Sequence, residues 1–158
     1  MREVKRILDQ SRRAFGGEAW HGPSLMAILD GITAAQGVAR PLSEAHSIWE
    51  LVLHIAAWER AGLRRLSGDR ADLSDVEDWP PVSDTTKQAW EQTRKTLKEG
   101  HDEFQDAISK LDDSRLDQRV VGSPATVYGT LHGIIQHTLY HAGQIALLKK
   151  AITEGEKQ

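Results

Sequence analysis

The chain contains no cysteine. That excludes a disulfide framework and a thiol nucleophile, and it leaves nitrogen and oxygen donors as the only means of holding a metal ion. It also agrees with a cytoplasmic setting. No run of about 18 or more apolar residues occurs, so no membrane-spanning helix is expected. Neither sign of charge dominates: 20 Lys and Arg stand against 23 Asp and Glu, a formal charge of −3. This is too even for binding nucleic acid or a membrane surface by bulk electrostatics. The segment Met1-Arg-Glu-Val-Lys-Arg6 is charged and leads into an amphipathic pattern, so it does not read as a signal peptide. Internal repeats and low-complexity stretches are lacking too. The 158 residues fit one domain, 1–158, with a real core. Only the tail Thr153–Gln158 is expected to be disordered.

What the chain does have is helical periodicity. Val4, Ile7, Leu8 and Ala14 or Phe15 mark a first helix, closed by Gly16-Gly17. Pro23, at a first helical position, predicts a short helix through Leu25, Ile28 and Leu29. From Gly31 to His46 the pattern is that of a loop with short helical pieces. Ser47-Ile-Trp-Glu50 matches a capping box and opens a helix to about Leu66, with a stripe of Ile48, Leu51, Val52, Ile55 and Trp58. Residues 67–82, with Trp79-Pro-Pro81, cannot be continuous helix.

Ser83 or Asp84 is expected to cap the next helix, striped by Trp90, Thr93, Leu97, His101, Phe104, Ile108 and Leu111. Arg119-Val-Val121 is the only strand-like run, and it reads as an extended loop. A last helix is predicted from near Thr130, through Leu131, Ile134, Ile135, Leu139, Ile145, Leu148 and Ile152. Lys149 and Lys150 are expected at its dipole-negative end. Gly133 and Gly143 inside that helix each cost roughly 1 kcal/mol relative to alanine, tolerable where a helix or subunit packs closely. Four long amphipathic helices make an all-α four-helix bundle the expected fold, with a short extra helix and long loops.

The chemistry-bearing feature is His137-Thr-Leu-Tyr-His141 in the last helix. Residues four apart share a helix face, with Cβ atoms about 5–6 Å apart, so both imidazoles can reach one ion. His54 is a third candidate. It lies seven residues beyond Ser47, about 10 Å along its helix, while His137 and His141 lie roughly 10–16 Å along theirs. Packed helices would place all three at similar heights. Three histidine ligands with one open position describe a catalytic zinc centre, as opposed to a closed structural one.

The plainer reading stands beside this one. A lone helical histidine is ordinarily a surface residue or a satisfied core residue, and H-x-x-x-H without a Glu is a weak motif. The pair gains weight from its core neighbours, because an unpartnered buried imidazole costs a few kcal/mol. His101 reads as a packed histidine. His132 projects about 140° from His137, so the two should not share an ion. His21 and His46 read as loop surface, Glu50 as the capping residue, Tyr128 and Tyr140 as packing, and the five tryptophans as core and interface.

Two segments, His46-Ser-Ile-Trp-Glu-Leu-Val-Leu-His-Ile-Ala-Ala-Trp-Glu59 and Ile135-Gln-His-Thr-Leu-Tyr-His-Ala-Gly-Gln-Ile145, resemble the DinB-like (damage-inducible) superfamily of metalloenzymes. The resemblance extends over nearly the whole chain, in helix order and histidine spacing. Despite the shared name, the superfamily is unrelated to the translesion polymerase. It implies a homodimeric four-helix bundle holding a divalent metal, zinc or nickel, on His54, His137 and His141. Some members are thiol S-transferases using low-molecular-weight thiols, and others are classed as metal-dependent hydrolases. Many members carry Arg where this chain has Ala142, so a charged substrate contact there does not carry over.

The expected function is therefore that of a metal-dependent enzyme of thiol S-transferase or hydrolase type, acting on a small-molecule substrate. The ion would lower the pKa of a water or thiol at its open position, to about 7 for water on zinc. Acid and base residues stay unassigned. The rival expectation is a non-catalytic metal-binding or ligand-sensing dimeric bundle.

Overall fold

In the computed structural model, which describes residues 2–157, seven α-helices run in the order α1 (Glu3–Phe15), α2 (Leu25–Leu29), α3 (Ala34–Val38), α4 (Ile48–Leu66), α5 (Asp75–Asp78), α6 (Lys87–Ser109) and α7 (Val127–Gly155). The long ones, α1, α4, α6 and α7, form the all-α bundle, and the three short helices sit in its connections. No strand occurs among the described residues; Ala19–Gly22 and Arg119–Thr126 pair only as isolated bridges. No helix among them is long and apolar enough to cross a membrane. Met1 and Gln158, at the ends of the expected domain, lie outside the described residues.

Local chemistry explains the helix boundaries. The capping box at α4 forms: Ser47 Oγ accepts from Glu50 N–H (3.3 Å), and Glu50 Oε2 accepts from Ser47 N–H (2.7 Å). Thr33 with Gln36 and Ser74 with Glu77 build the same box at α3 and α5. The free N–H groups opening α1 are satisfied from across the chain, where the Asp113 carboxylate accepts from Glu3 and Val4 (2.9 and 3.0 Å).

Several expected boundaries move. Pro23 precedes the cap, Ser24, and is not the first helical residue of α2. Thr86 caps α6, its hydroxyl accepting from Ala89 N–H (3.2 Å), while Asp84 accepts from Thr86 N–H. Thr126 caps α7, which starts one turn ahead of Thr130, because the 119–126 bridge folds back and buries Val127 and Thr130. Gly122, at φ +70°, makes that fold-back possible.

The end of α7 also differs from expectation. The helix continues to Gly155, so Thr153–Gly155 is ordered helix, and Lys149 and Lys150 lie before the last turn. Lys149 instead donates its ammonium to the Ile28 and Asp30 carbonyls (2.8 and 2.6 Å), which end α2. Gly133 and Gly143 face open space and not a close neighbour.

The core is in two parts around α4. One gathers Leu25, Leu29, Trp49, Ile55, Trp90 and Ile145; the other gathers Ile7, Phe104, Ile108, Leu131 and Ile134. Full burial of one such side chain contributes about 1.5–3 kcal/mol. Trp49 and Trp90 are core, as expected, and their indoles donate to Thr93 Oγ1 and the Ile32 carbonyl. Trp20 is fully exposed. The helices pack tightly at Gly62, where a Cβ would lie 3.2 Å from Phe104 and 3.3 Å from Ile134. Gly100 on α6 meets nothing within 4 Å. Gly62→Val is expected to lower stability by about 1–3 kcal/mol through overpacking. Gly100→Ala is expected to raise it by up to about 1 kcal/mol. Chemical denaturation of both variants checks the pair of signs.

Candidate metal centre

The histidine pair rides on α7 and the third histidine on α4, and the packing of these helices turns all three toward one point. Ring centroids lie 4.7 Å apart for His54 and His137, 4.8 Å for His54 and His141, and 4.5 Å for His137 and His141. Each ring offers one ligand atom, and these atoms all fall within 4.8 Å of one another. His54 and His141 are buried and His137 is half-buried.

Hydrogen bonds behind the rings decide which nitrogens face inward. His54 Nδ1–H donates to the Asp78 carbonyl (2.7 Å), and His141 Nδ1–H donates to Gln144 Oε1 (2.6 Å). In these tautomers both Nε2 atoms carry a free lone pair. His137 Nε2 lies 2.9 Å from His54 Nε2, and His137 Nδ1 is buried without a hydrogen-bond partner. Two ring nitrogens so close need a proton or a cation between them. A divalent ion on the inward lone pairs meets that need for the whole set, so the residues present fit a metal.

The electrostatics favour the neutral, ligating form of His137 and His141. Burial, and then the neighbouring His141 and His54 rings, push the His137 imidazole down to about 4. Burial also lowers His141, partly offset by its bond to Gln144. A neutral imidazole is the form that binds a metal.

Part of the site comes from a segment that pattern reading leaves blank. The 67–82 connection contains α5, whose last residue is Asp78, and Trp79 follows it. Trp79 lies flat on His54 (3.7 Å between centroids, 3° between planes), and His46 stacks on Trp79 in turn (3.6 Å). Trp58 donates its indole N–H to Asp78 Oδ1 (2.7 Å). The sequence did hold a signal for α5: Ser74-x-x-Glu77 is the same capping signature as Ser47-x-x-Glu50. Nothing in the spacing marks Asp78.

The remaining candidates lie elsewhere. His101 is packed as expected, stacked parallel on Phe15 with ring centroids 3.6 Å apart and bonded through Nδ1 to Glu59 Oε1 (2.8 Å). Burial raises the Glu59 carboxyl above the usual range, with the His101 bond opposing. His132 stands apart from the triad, against Tyr128 (4.3 Å between ring centroids). His21 is exposed. Glu50 serves the capping box and also binds Arg40 (2.6 Å). Tyr128 and Tyr140 are exposed, not packed, although the Tyr140 ring stands edge-on to His141 at 5.0 Å. Ala142 is buried in the core.

A family model described as the DinB superfamily matches residues 20–145, more than half of the chain and a span that includes all three histidines. No curated protein matches the chain. No solved structure matches it either.

Proposed function

The chain belongs to the DinB superfamily, and from that premise we propose that it is a metal-dependent enzyme holding one divalent ion on His54, His137 and His141. The observation that carries this reading is the convergence of three ligand atoms within 4.8 Å, with two of the rings keyed from behind so that Nε2 faces the centre. Zinc and nickel suit three nitrogen donors. A bound ion of this kind supplies Lewis acidity and lowers the pKa of a water or thiol at its open position. The reaction class is thiol S-transfer or hydrolysis on a small molecule. In a chain without cysteine the thiol must be exogenous, and the family resemblance implies one of low molecular weight.

The protein's own share is to hold His137 and His141 neutral and to keep the rings aimed. His54 and His141 are fixed by acceptors at Asp78 and Gln144, and Trp79 covers one face of His54. The purified protein is expected to contain about one zinc or nickel per chain. His54→Ala and His137→Ala are expected to lose most of it. Added metal at a hundred times Kd should stabilise the metal-free parent by about 2.7 kcal/mol, a rise in Tm of roughly 5–10 °C. No stoichiometric metal together with no thermal shift would remove the basis of this reading. Turnover in a panel of electrophiles with several thiols, and of esters and amides, separates the two reactions. Metal binding with no turnover in either favours the sensing module instead.

A homodimer accompanies this reading. On α7 the outward residues Gly133, Gln136, Tyr140, Gly143, Leu147 and Lys150 recur at alternating intervals of three and four, the seam spacing of paired helices. Tyr140 and Leu147 are 66% and 69% exposed, whereas a Cβ at Gly143 would meet nothing within 4 Å. In an antiparallel pair, Tyr140 of one copy faces Gly143 of the other, and Gln136 faces Leu147, so large residues meet small or flexible ones. The parent is expected to sediment as a dimer and Leu147→Glu as a monomer with unchanged metal content. A monomeric parent, or a dimeric Leu147→Glu, contradicts the pairing.

A further inference from the structure

The weakest link in a three-histidine centre is the orientation of each ring, since an imidazole on a helix can turn about its side-chain bonds. His141 is held by Gln144 from its own helix, one turn on. His54 has no such neighbour on α4. Its partner comes from α5, a helix of four residues that is tied down at its start by the Ser74–Glu77 box.

The last residue of α5, Asp78, meets His54 twice. Its backbone carbonyl accepts the Nδ1 proton at 2.7 Å, and its carboxylate Oδ1 lies 3.1 Å from the same nitrogen. Oδ1 is itself held by the Trp58 indole N–H at 2.7 Å, from the turn of α4 that follows His54. All of this lies on the Nδ1 edge of the ring, away from the Nε2 that approaches His137. Asp78 therefore sits behind a ligand and is not itself one of the converging atoms.

We propose that Asp78 is the positioning residue of the metal centre, its backbone carbonyl setting the His54 tautomer and its carboxylate charge strengthening Nε2 as a donor, with Trp58 holding that carboxylate in place. A carboxylate behind a ligating imidazole orients the ring and raises its basicity, and removing it costs about ten- to a hundredfold in metal affinity. His137, by contrast, has no hydrogen-bond partner on its Nδ1. The inference rests on the metal reading above, but it assigns to the 67–82 connection a specific role that the histidines alone do not require. It also predicts that the charge counts, beyond the backbone carbonyl that every variant keeps.

The test is zinc affinity of the full chain, measured by competition with a chromophoric chelator, for the parent, Asp78→Asn, Asp78→Ala and Ser74→Ala. Asp78→Asn keeps the shape and an acceptor oxygen for Trp58 but removes the charge, and about a tenfold loss is expected. Asp78→Ala, which removes both, should approach a hundredfold. Ser74→Ala loosens α5 without touching the carboxylate and should bind zinc more tightly than Asp78→Ala does. The cobalt-loaded protein gives a second readout, because a change in His54 donor strength moves the visible d–d bands in Asp78→Asn while the metal-free Tm stays as in the parent. If the parent binds zinc and both Asp78 variants match it, the positioning role is wrong and the metal reading stands. If Ser74→Ala loses as much as Asp78→Ala, the order of α5 matters and the carboxylate does not. A parent that takes up no zinc overturns both readings together.

Discussion

His54 and His137 approach each other nitrogen to nitrogen, 2.9 Å apart, and the proposed metal chemistry of this bundle depends on that contact. Two imidazole lone pairs repel at such a distance unless a proton or a cation lies between them. The Nδ1 protons of His54 and His141 are committed outward, to Asp78 and Gln144. The Nε2 lone pairs of His54 and His141 are thus left facing the interior of the triad. Burial pushes His137 and His141 the same way, toward the neutral form. A proton on His137 Nε2 satisfies the contact with His54 alone, whereas a divalent cation can engage the lone pairs of all three rings.

The scaffold exists to hold that contact. The capping box at Ser47 sets where α4 begins, and so the rotation at which His54 leaves the helix two turns later. Trp49 and Ile55 bury the other side of α4, while Gly62 lets α4 come close to Phe104 on α6 and Ile134 on α7. Gly62 and Ile134 both lie within about two turns of the triad, so the close approach of the helices and the meeting of the histidines are one packing event. The outward face of α7 runs alongside, and Tyr140, in the proposed dimer seam, touches His141 edge-on. Association of two copies would then border the three-histidine cluster directly.

Helical periodicity was enough to locate the long helices, because their stripes, such as Trp90, Leu97, Phe104 and Ile108, are the residues that end up buried. The histidine candidates were legible for the same reason: a four-residue spacing is a physical distance on a helix, and His54 flanks a buried stripe. The ends of helices were less legible. Helix α7 starts at Val127, capped by Thr126, and not near Thr130, because the chain folds back at Gly122, and that is a tertiary effect. The partners of His54 could not be found from spacing, since Asp78 and Trp79 reach it across 24 and 25 residues from a polar connection. A local motif encodes its own neighbours; residues brought in by a loop are encoded only by the fold. Tyr140 illustrates the converse error, where an aromatic on a core helix reads as packing yet faces outward.

X-ray absorption at the zinc or nickel edge of the purified protein reads the inner coordination shell directly. The arrangement of His54, His137 and His141 predicts three imidazole nitrogens at about 2.0–2.1 Å, with the outer-shell scattering of histidine rings. A shell made of oxygen alone, or one that keeps its imidazole scattering unchanged when His54 is replaced by alanine, would contradict it.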